Sequence, residues 1–317
     1  MNISLVICTY NRADILKQTL PFIESLYIPK EMILEVVIVN NNSTDKTLVL
    51  LSEVIKKKIP KVEIKYVFEE KQGLSHTRNK GYLKSKGEYV AYIDDECILP
   101  QDWLANAFEI IKSSRPAFLG GPFLGKYIPG SSSKWFKESF GDSHMLQYDL
   151  PNGEIKNRYL SGGNLFVRRD VFEKVGVFDT TLGMSGNQIN YGEEDELQMR
   201  FVNAFPNEVV WYDDSVFLWH LIRDEKMTLS FLFKDALVRG RSAAKLKNLP
   251  RNKLIHAPFY LLYFLLKAIF SFVFKGIRSV FSDEHFFVFL YDDYKYGTWR
   301  GIGSSIYKTK KLFGLVA

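Results

Sequence analysis

The chain has 317 residues, 46% hydrophobic and 25% charged, a balance that excludes global disorder. Its 21 glycines and 11 prolines are too few for a collagen-like or low-complexity chain, and its two cysteines, Cys8 and Cys97, exclude a disulfide scaffold and point to a reducing compartment. Aromatic residues at 15% and a net charge of +6 direct attention to anionic partners: a nucleotide, a nucleic acid or an anionic lipid.

The first apolar run, Ile3 to Cys8, starts the chain as a strand without a charged leader and long apolar core, so no secretory signal is expected. A helix follows from Arg12 to Ser25, with Ile15, Leu16, Leu20, Ile23 and Leu26 near helical spacing. The run "EVVIVN" is the second buried strand, and Ser43 and Thr44 are candidate caps for a helix through Leu48, Leu51 and Ile55. The runs "VEIKYVF" and "EYVAYI" give two more strands, and Leu74 to Ser85 and Trp103 to Lys112 give two more helices. This alternation predicts an α/β fold, a mostly parallel sheet with helices on both faces. Ligands of such sheets bind beyond the carboxyl ends of the strands. The informative residues are therefore "TYNR", "NNNSTD", "EEKQG" and "DDE".

In "DDE", Asp94, Asp95 and Glu96 repel one another unless a cation neutralises them. In extended backbone Asp94 and Glu96 point to the same side, a pair of hard oxygen donors suited to Mn²⁺ or Mg²⁺ beside a diphosphate. The bland alternative is a solvated acidic turn. Arg12 and Arg78 offer forked donors to a phosphate or a base edge, or are plain surface helix residues. Gly162 and Gly163, before an apolar strand, allow close backbone approach to a ligand, or form an ordinary turn. In "YGEEDELQMRF", Leu197 and Phe201 lie four apart and face the core, which leaves Glu193, Glu194 and Asp195 in the first turn. A helix N-terminus favours ionised carboxylates, and one of these could take a proton from a sugar hydroxyl; acidic first turns also occur without function. His220 ends the apolar run "VFLWH" and becomes a ligand candidate only if the fold carries it to Asp94–Glu96.

Taken in order, "TYNR", "VVIVNNNSTDKT", "KQGLSHTRNKGYLKSKGEYVAYIDDE", "SGGNLFVRRDVFEKVGVFD" and "GEEDELQMR" resemble the inverting family-2 glycosyltransferases with the GT-A fold, over roughly Met1 to Leu246. Composition divides the chain at about Thr228, giving a helical region over 228–317 that is a candidate for membrane association, and the resemblance makes 1–227 a catalytic domain with a nucleotide-binding half (1–100) and an acceptor half (101–227). It implies that Thr9, Tyr10 and Arg12 border the base and ribose, and that Asn40 and Asn41 stand where the family often has Asp to read uracil. Arg78 falls by the base or diphosphate, and Gly162 and Gly163 by the nucleotide sugar. Asp94, Asp95 and Glu96 replace the D-x-D metal motif, with Glu one methylene longer than the usual last Asp. His220 matches a position that can complete metal coordination. The catalytic carboxylate falls on Glu194 without a gap and on Asp195 with a one-residue shift. The implied reaction moves a sugar from a nucleotide-diphosphate sugar, UDP-linked by the family's habit, to a glycan or lipid-linked acceptor with inversion, aided by Mn²⁺ or Mg²⁺.

The end of the chain differs in composition. From Ala236 to Ser282 there is no acid, and there are nine bases. Leu254 to Phe274 contains seven aromatics and is long enough to span a bilayer, but His256, Pro258 and Lys267 interrupt it. The bases and aromatics suit a segment lying on an anionic membrane surface; a buried hairpin, a homo-oligomer interface or a true span are the other readings. Basic residues beside an apolar aromatic segment fit lipid rather than nucleic acid. The expected location is the cytoplasm, peripheral at the cytoplasmic face of the membrane. Two rival functions keep the same fold: a nucleotidyltransferase, disfavoured because "TYNRAD" lacks a Gly-rich phosphate loop, and a non-catalytic nucleotide-sugar binder.

Overall fold

The structure is a computed structural model that describes residues 1–56, 59–128, 136, 145–146, 150–186, 188–280 and 297–316. The chain divides into two units: Met1–Lys126 with Met145–Gln188 and Glu193–Leu221, and Tyr127–His144 with Ile189–Gly192 and Ile222–Ala317.

The first unit opens on strands β1 (Asn2–Thr9), β2 (Ile33–Asn40), β3 (Val62–Phe68) and β4 (Tyr89–Asp94), all parallel and ordered β3-β2-β1-β4. Helices α1 (Ala13–Glu24), α2 (Thr47–Val54) and α3 (Leu74–Lys84) connect them. Successive side chains on a strand point to opposite faces. Leu5, Val36, Ile38 and Ala91 thus join one core with Leu16, Leu51 and Trp103. Val6, Val37, Val39 and Tyr92 join a second core with Phe172, Leu197 and Phe201. Because both faces are covered, the strands read as continuous apolar runs, as expected for a parallel sheet.

After β4 come β5 (Cys97–Ile98), α4 (Trp103–Ser114), β6 (Phe118–Gly120) and β7 (Phe123–Tyr127), then β8 (Met145–Leu146), β9 (Gly153–Glu154) and β10 (Asn164–Arg168). The chain continues with α5 (Arg169–Val175), α6 (Glu193–Ala204), β11 (Val210–Tyr212) and β12 (Leu218–Ile222). The large sheet extends past β4 through β10, β6, β11 and β9; β10 runs antiparallel to both neighbours. A smaller sheet holds β5, β12, β7 and β8. One local expectation is corrected. Asp45, rather than Ser43 or Thr44, accepts the N–H of Thr47 at the start of α2. Its other carboxylate oxygen accepts the N–H of Ala13 at the start of α1, so one side chain serves two helices.

The second unit is helical. Thr228 caps α7 (Leu229–Lys247), accepting the N–H of Phe231 at 3.2 Å. Within the unit, buried Asp235 accepts from Arg239 at 2.7 Å and from the Tyr191 hydroxyl at 2.5 Å. Helices α8 (Ala257–Val280) and α9 (Thr298–Leu312) follow. A Cβ on Gly303 would lie 2.0 Å from the Leu237 carbonyl oxygen, so α9 meets α7 backbone to backbone. A Cβ on Gly301 would lie 2.4 Å from the Phe264 ring, which seats α9 on α8. The other side of α8 is bare: Phe259 and Phe270 are 70% and 72% exposed. Leaving such a side chain in water forgoes about 1.5–3 kcal/mol of burial. The stretch Arg251–Ile277 is long and apolar enough to cross a membrane, by length and composition. It is no buried hairpin.

Candidate active site

The parallel register sets the site's floor. Thr9 pairs with Asn40, and Cys8 with Asp94, so the ends of β1, β2 and β4 lie side by side. The loop after β1 is tied to the loop after β2 by Asn11, whose side-chain oxygen accepts the N–H of Thr44 at 2.7 Å. Thr9 donates to the Asp95 carboxylate at 2.7 Å, and Thr19 on α1 donates to the Asp95 carbonyl at 2.8 Å. These two hydroxyls fix the turn that carries Asp94, Asp95 and Glu96.

Antiparallel pairing brings in His220. In β12 it lies opposite Cys97, and the N–H of Leu221 donates to the Glu96 carbonyl at 2.9 Å. Its Nε2 then lies 3.1 Å from Glu96 Oε1 and 3.7 Å from Asp94 Oδ2. Glu96 is buried, whereas the Asp94 side chain is 37% exposed. Burial works to raise the Asp94 carboxyl, but the nearby His220, with Arg78, holds it below the usual range. Burial and the neighbouring Glu96 charge push Asp95 up to about 7 against the hydrogen bond from Thr9.

Two carboxylates and an imidazole form a donor set chemically suited to Mn²⁺ or Mg²⁺. As they stand the groups contact one another, and among the described residues no three His, Cys, Asp or Glu side chains are arranged to hold a metal ion. The chemistry of the set carries the fit, not its present spacing.

Two glycines join this cluster to α6. Antiparallel β10 starts opposite Ile93, which brings Gly162 and Gly163 beside Asp94. A Cβ on Gly163 would stand 2.5 Å from Asp94 Oδ2, and one on Gly162 would stand 2.6 Å from Arg78 Nη2. The expected close approach is thus to the site's own side chains. The Gly162 N–H donates to Glu194 Oε1 at 3.4 Å. Gln198, one turn along α6, clamps both backbone groups of Leu160, accepting at 2.9 Å and donating at 2.8 Å. Asp195 is partly exposed, and its charge contributes to raising the Tyr159 hydroxyl, for which burial is the larger cause.

Arg78 on α3 is the centre of the charge network. Its Nη1 lies 2.6 Å from Glu193 Oε1, and both side chains are 4% exposed; its Nη2 lies 3.9 Å from Asp94. The guanidinium also stands 5.6 Å from the Phe178 ring centre. Burial opposes its charge, but Glu193, Glu194 and Asp94 outweigh it and raise its pKa. Burial and the Glu194 charge push the Glu193 carboxyl upward against the pull of Arg78. Sequence reasoning left Glu193 undistinguished, yet the signal was present: Glu193, Leu197 and Phe201 are four apart, on the core face.

The remaining predicted residues have other surroundings. Asn41 is buried and donates to the carbonyls of Glu69 and Lys71 while accepting from Gly73 and Gln72. That uses the full capacity of an amide side chain. Asn40 donates to the Tyr66 hydroxyl and accepts the N–H of Ser43. Tyr10 and Arg12 are partly exposed in the loop after β1, with the Arg12 charge acting on Asp95.

A family model described as glycosyl transferase family 2 matches residues 4–176. The succinoglycan biosynthesis protein ExoM of Rhizobium meliloti (strain 1021) is 28% identical over 189 residues, covering 59% of each chain. The glucosyl-dolichyl phosphate glucuronosyltransferase of Haloferax volcanii is 24% identical over 220 residues, 67% of this chain and 66% of its own. The matches thus span about three-fifths to two-thirds of these relatives. Among solved structures, a mannosyltransferase from Pyrobaculum calidifontis in complex with GDP-Man and Mn²⁺ has a TM-score of 0.61 at 16% identity, covering 99% of this chain and 88% of its own. TarS 1–349 of S. aureus in complex with UDP-GlcNAc has a TM-score of 0.53 at 20% identity, covering 78% and 67%. At these identities the structural likeness establishes the fold, GT-A, and nothing finer.

Proposed function

The chain belongs to glycosyl transferase family 2, and we propose that it moves a hexosyl group from a nucleotide-diphosphate sugar to an acceptor hydroxyl with inversion. The observation that carries this reading is the two-glycine turn before β10. One of its glycines donates an N–H to Glu194, and the other lies against Asp94.

In this reading Glu194 is the general base. It is the first-turn carboxylate that accepts from the glycine turn, whereas Glu193 is buried against Arg78. Glu194 takes the proton from the acceptor hydroxyl as the oxygen attacks the anomeric carbon from the face opposite the nucleotide. Such a base is typically worth about 10²–10⁴-fold in rate. Asp195 is the alternative base, one position along.

Asp94, Glu96 and His220 are the residues that would hold Mn²⁺ or Mg²⁺, which when bound neutralises charge on the diphosphate leaving group. Arg78 supplies a fixed positive charge beside Asp94 and Glu193. Thr9 anchors Asp95 and keeps the acidic turn in place. Tyr10 and Arg12 flank the base and ribose. Asn40 and Asn41 shape the base pocket by holding loops, since their amides are engaged within the chain. The solved relatives include one bound to a UDP-sugar and one bound to a GDP-sugar, and we keep UDP as the first donor to test.

A lipid-linked acceptor is favoured over a free glycan by the bare apolar face of α8 and by the relative named for a dolichyl phosphate substrate. Work at the cytoplasmic face of a membrane belongs to the same reading, and both cysteines are free. The test is a panel of UDP-, GDP- and dTDP-sugars with Mn²⁺, read first by thermal shift and then by donor turnover. One donor should raise the melting temperature and be consumed, since binding to the native state stabilises it. Binding without turnover on any acceptor would instead support a non-catalytic binder.

A further inference from the structure

We infer that helix α8 lies in the plane of an anionic lipid bilayer, seated by one face among the headgroups, and does not cross it. The inference deepens the membrane-side reading above and rests on it for its purpose, though its evidence comes from the second unit alone.

Six large apolar residues recur at three- and four-residue steps along α8: Phe259, Leu262, Leu266, Phe270, Val273 and Ile277. They are 70%, 56%, 57%, 72%, 54% and 58% exposed. At 3.6 residues per turn they fall within about a quarter-turn of one another. Leu261, Phe264 and Ala268 occupy the opposite side, are partly buried, and meet α9 where Gly301 lies against Phe264. Lys267 sits on the flank, partly buried, where its long stem lets the ammonium reach water from the edge of an apolar face.

The exposed apolar arc is wider than this stripe, since Tyr260, Tyr263, Leu265, Ile269, Phe272 and Phe274 are also exposed, and α9 covers the remaining side. A crossing helix must be apolar or protein-covered around its whole circumference for about 20 residues, which α8 taken alone would satisfy, so α9 decides between the two placements. Crossing would draw α9 into hydrocarbon, because α9 packs against the middle of α8. That helix carries Arg300, Lys308, Lys310 and Lys311, and bases at membrane depth are strongly disfavoured.

The charges select lipid as the occupant over a second copy of the chain. Arg241, Lys247, Arg251 and Lys253 are exposed just before α8, and no acid occurs from Ala236 to Ser282. Two copies joined through this face would bring like charges together, whereas an anionic bilayer attracts each base.

The test uses the full chain and vesicles of phosphatidylcholine, alone or mixed with phosphatidylglycerol. Phe259→Cys, Phe270→Cys and Ile277→Cys variants carry an environment-sensitive fluorophore, with the unsubstituted chain as the labelling blank. Lipids with quenchers at graded depths then report where each position lies. The expected result is binding only to the mixed vesicles, weakened by salt, with the same shallow depth at all three positions. A deep Phe270 between two shallow ends would mean a span and overturn the inference. No quenching together with a discrete dimer would mean a second copy and overturn it as well. The Leu266→Glu/Phe270→Glu chain should lose vesicle binding by about tenfold or more per substitution, with donor turnover in vesicle-free buffer unchanged. If neither the unsubstituted chain nor any variant turns over donor, the enzyme reading falls while the depth profile still decides the inference.

Discussion

Helix α6 turns Leu197 and Phe201 into a core beneath the large sheet, where both are fully buried. Helix α8 carries Leu262, Leu266 and Phe270 at the same helical steps and leaves them more than half exposed. Periodicity shows that a helix has an apolar face; it does not say what covers that face. In the first unit the cover is the chain itself, and the buried charges, Arg78, Glu193 and Glu96, are held in a network. In the second unit the chain covers α8 on one side only, and the exposed bases beside it suit an anionic surface. In the proposed reading the two regions thus separate chemistry from anchoring.

The sharpest way to break this division is to remove the acids of the β4 turn. Asp94→Ala and Glu96→Ala should each cut transfer by about 10³-fold. A catalytic metal is worth several kcal/mol, and each 1.36 kcal/mol is tenfold in rate. EDTA should do the same to the unsubstituted chain, and vesicle binding should not change. Full activity in EDTA would show that the turn holds no catalytic cation.

A smaller effect is expected at the glycine turn. Gly163→Ala places a methyl 2.5 Å from Asp94 Oδ2, too close for both to stay, and a misplacement near 1 Å can cost about 10²-fold. Transfer should fall by that factor, with donor turnover in the absence of acceptor falling in parallel. Wild-type kinetics would mean that Asp94 can move without penalty.

Glu193→Gln tests the buried pair. A hydrogen bond to a charged partner is worth about 1.5–3 kcal/mol, and denaturant unfolding should show a loss of that order. The variant should keep its metal requirement, because Glu193 acts through Arg78. An unchanged midpoint would remove the pair from the account.

The smallest effect lies in the sheet, far from the reaction. Glu35 accepts from Ser4, from the Lys86 N–H and from Lys65, the last at 2.6 Å. Burial acts to raise its pKa, but these partners outweigh it and lower it from 4.5. A depressed folded pKa means a contribution present above the unfolded value and lost as pH falls through the folded one. Lys65 is partly exposed, so screening limits the pair to about 1 kcal/mol. The unsubstituted chain should lose that increment between about pH 5 and about pH 3, and Glu35→Gln should lose less stability over this window by that amount, since Asp45, Asp94 and Asp170 are also held low and still titrate.

Much of this is legible in the sequence. The buried strands announce themselves as apolar runs, and "DDE" stands out because its acids follow such a run. His220 can be nominated but not located, since its approach depends on pairing between Leu218–Ile222 and Cys97–Ile98, distant in sequence. Glu193 can be read from the four-residue series it begins with Leu197 and Phe201. Asp45 cannot, because one of its two helix starts lies 32 residues away. For α8 the stripe is readable, while its exposure depends on how much of the helix α9 covers.

The central claim is that Glu194 removes the acceptor proton while the β4 turn holds the donor. It is tested most directly by single-turnover transfer and donor affinity measured together for Glu194→Gln and Asp195→Asn. The account predicts that Glu194→Gln lowers the transfer step by about 10²–10⁴-fold, with donor affinity and metal requirement near wild type, and that Asp195→Asn does far less. Loss of transfer in Asp195→Asn with Glu194→Gln active would move the base by one residue, and full transfer in both would contradict the claim outright.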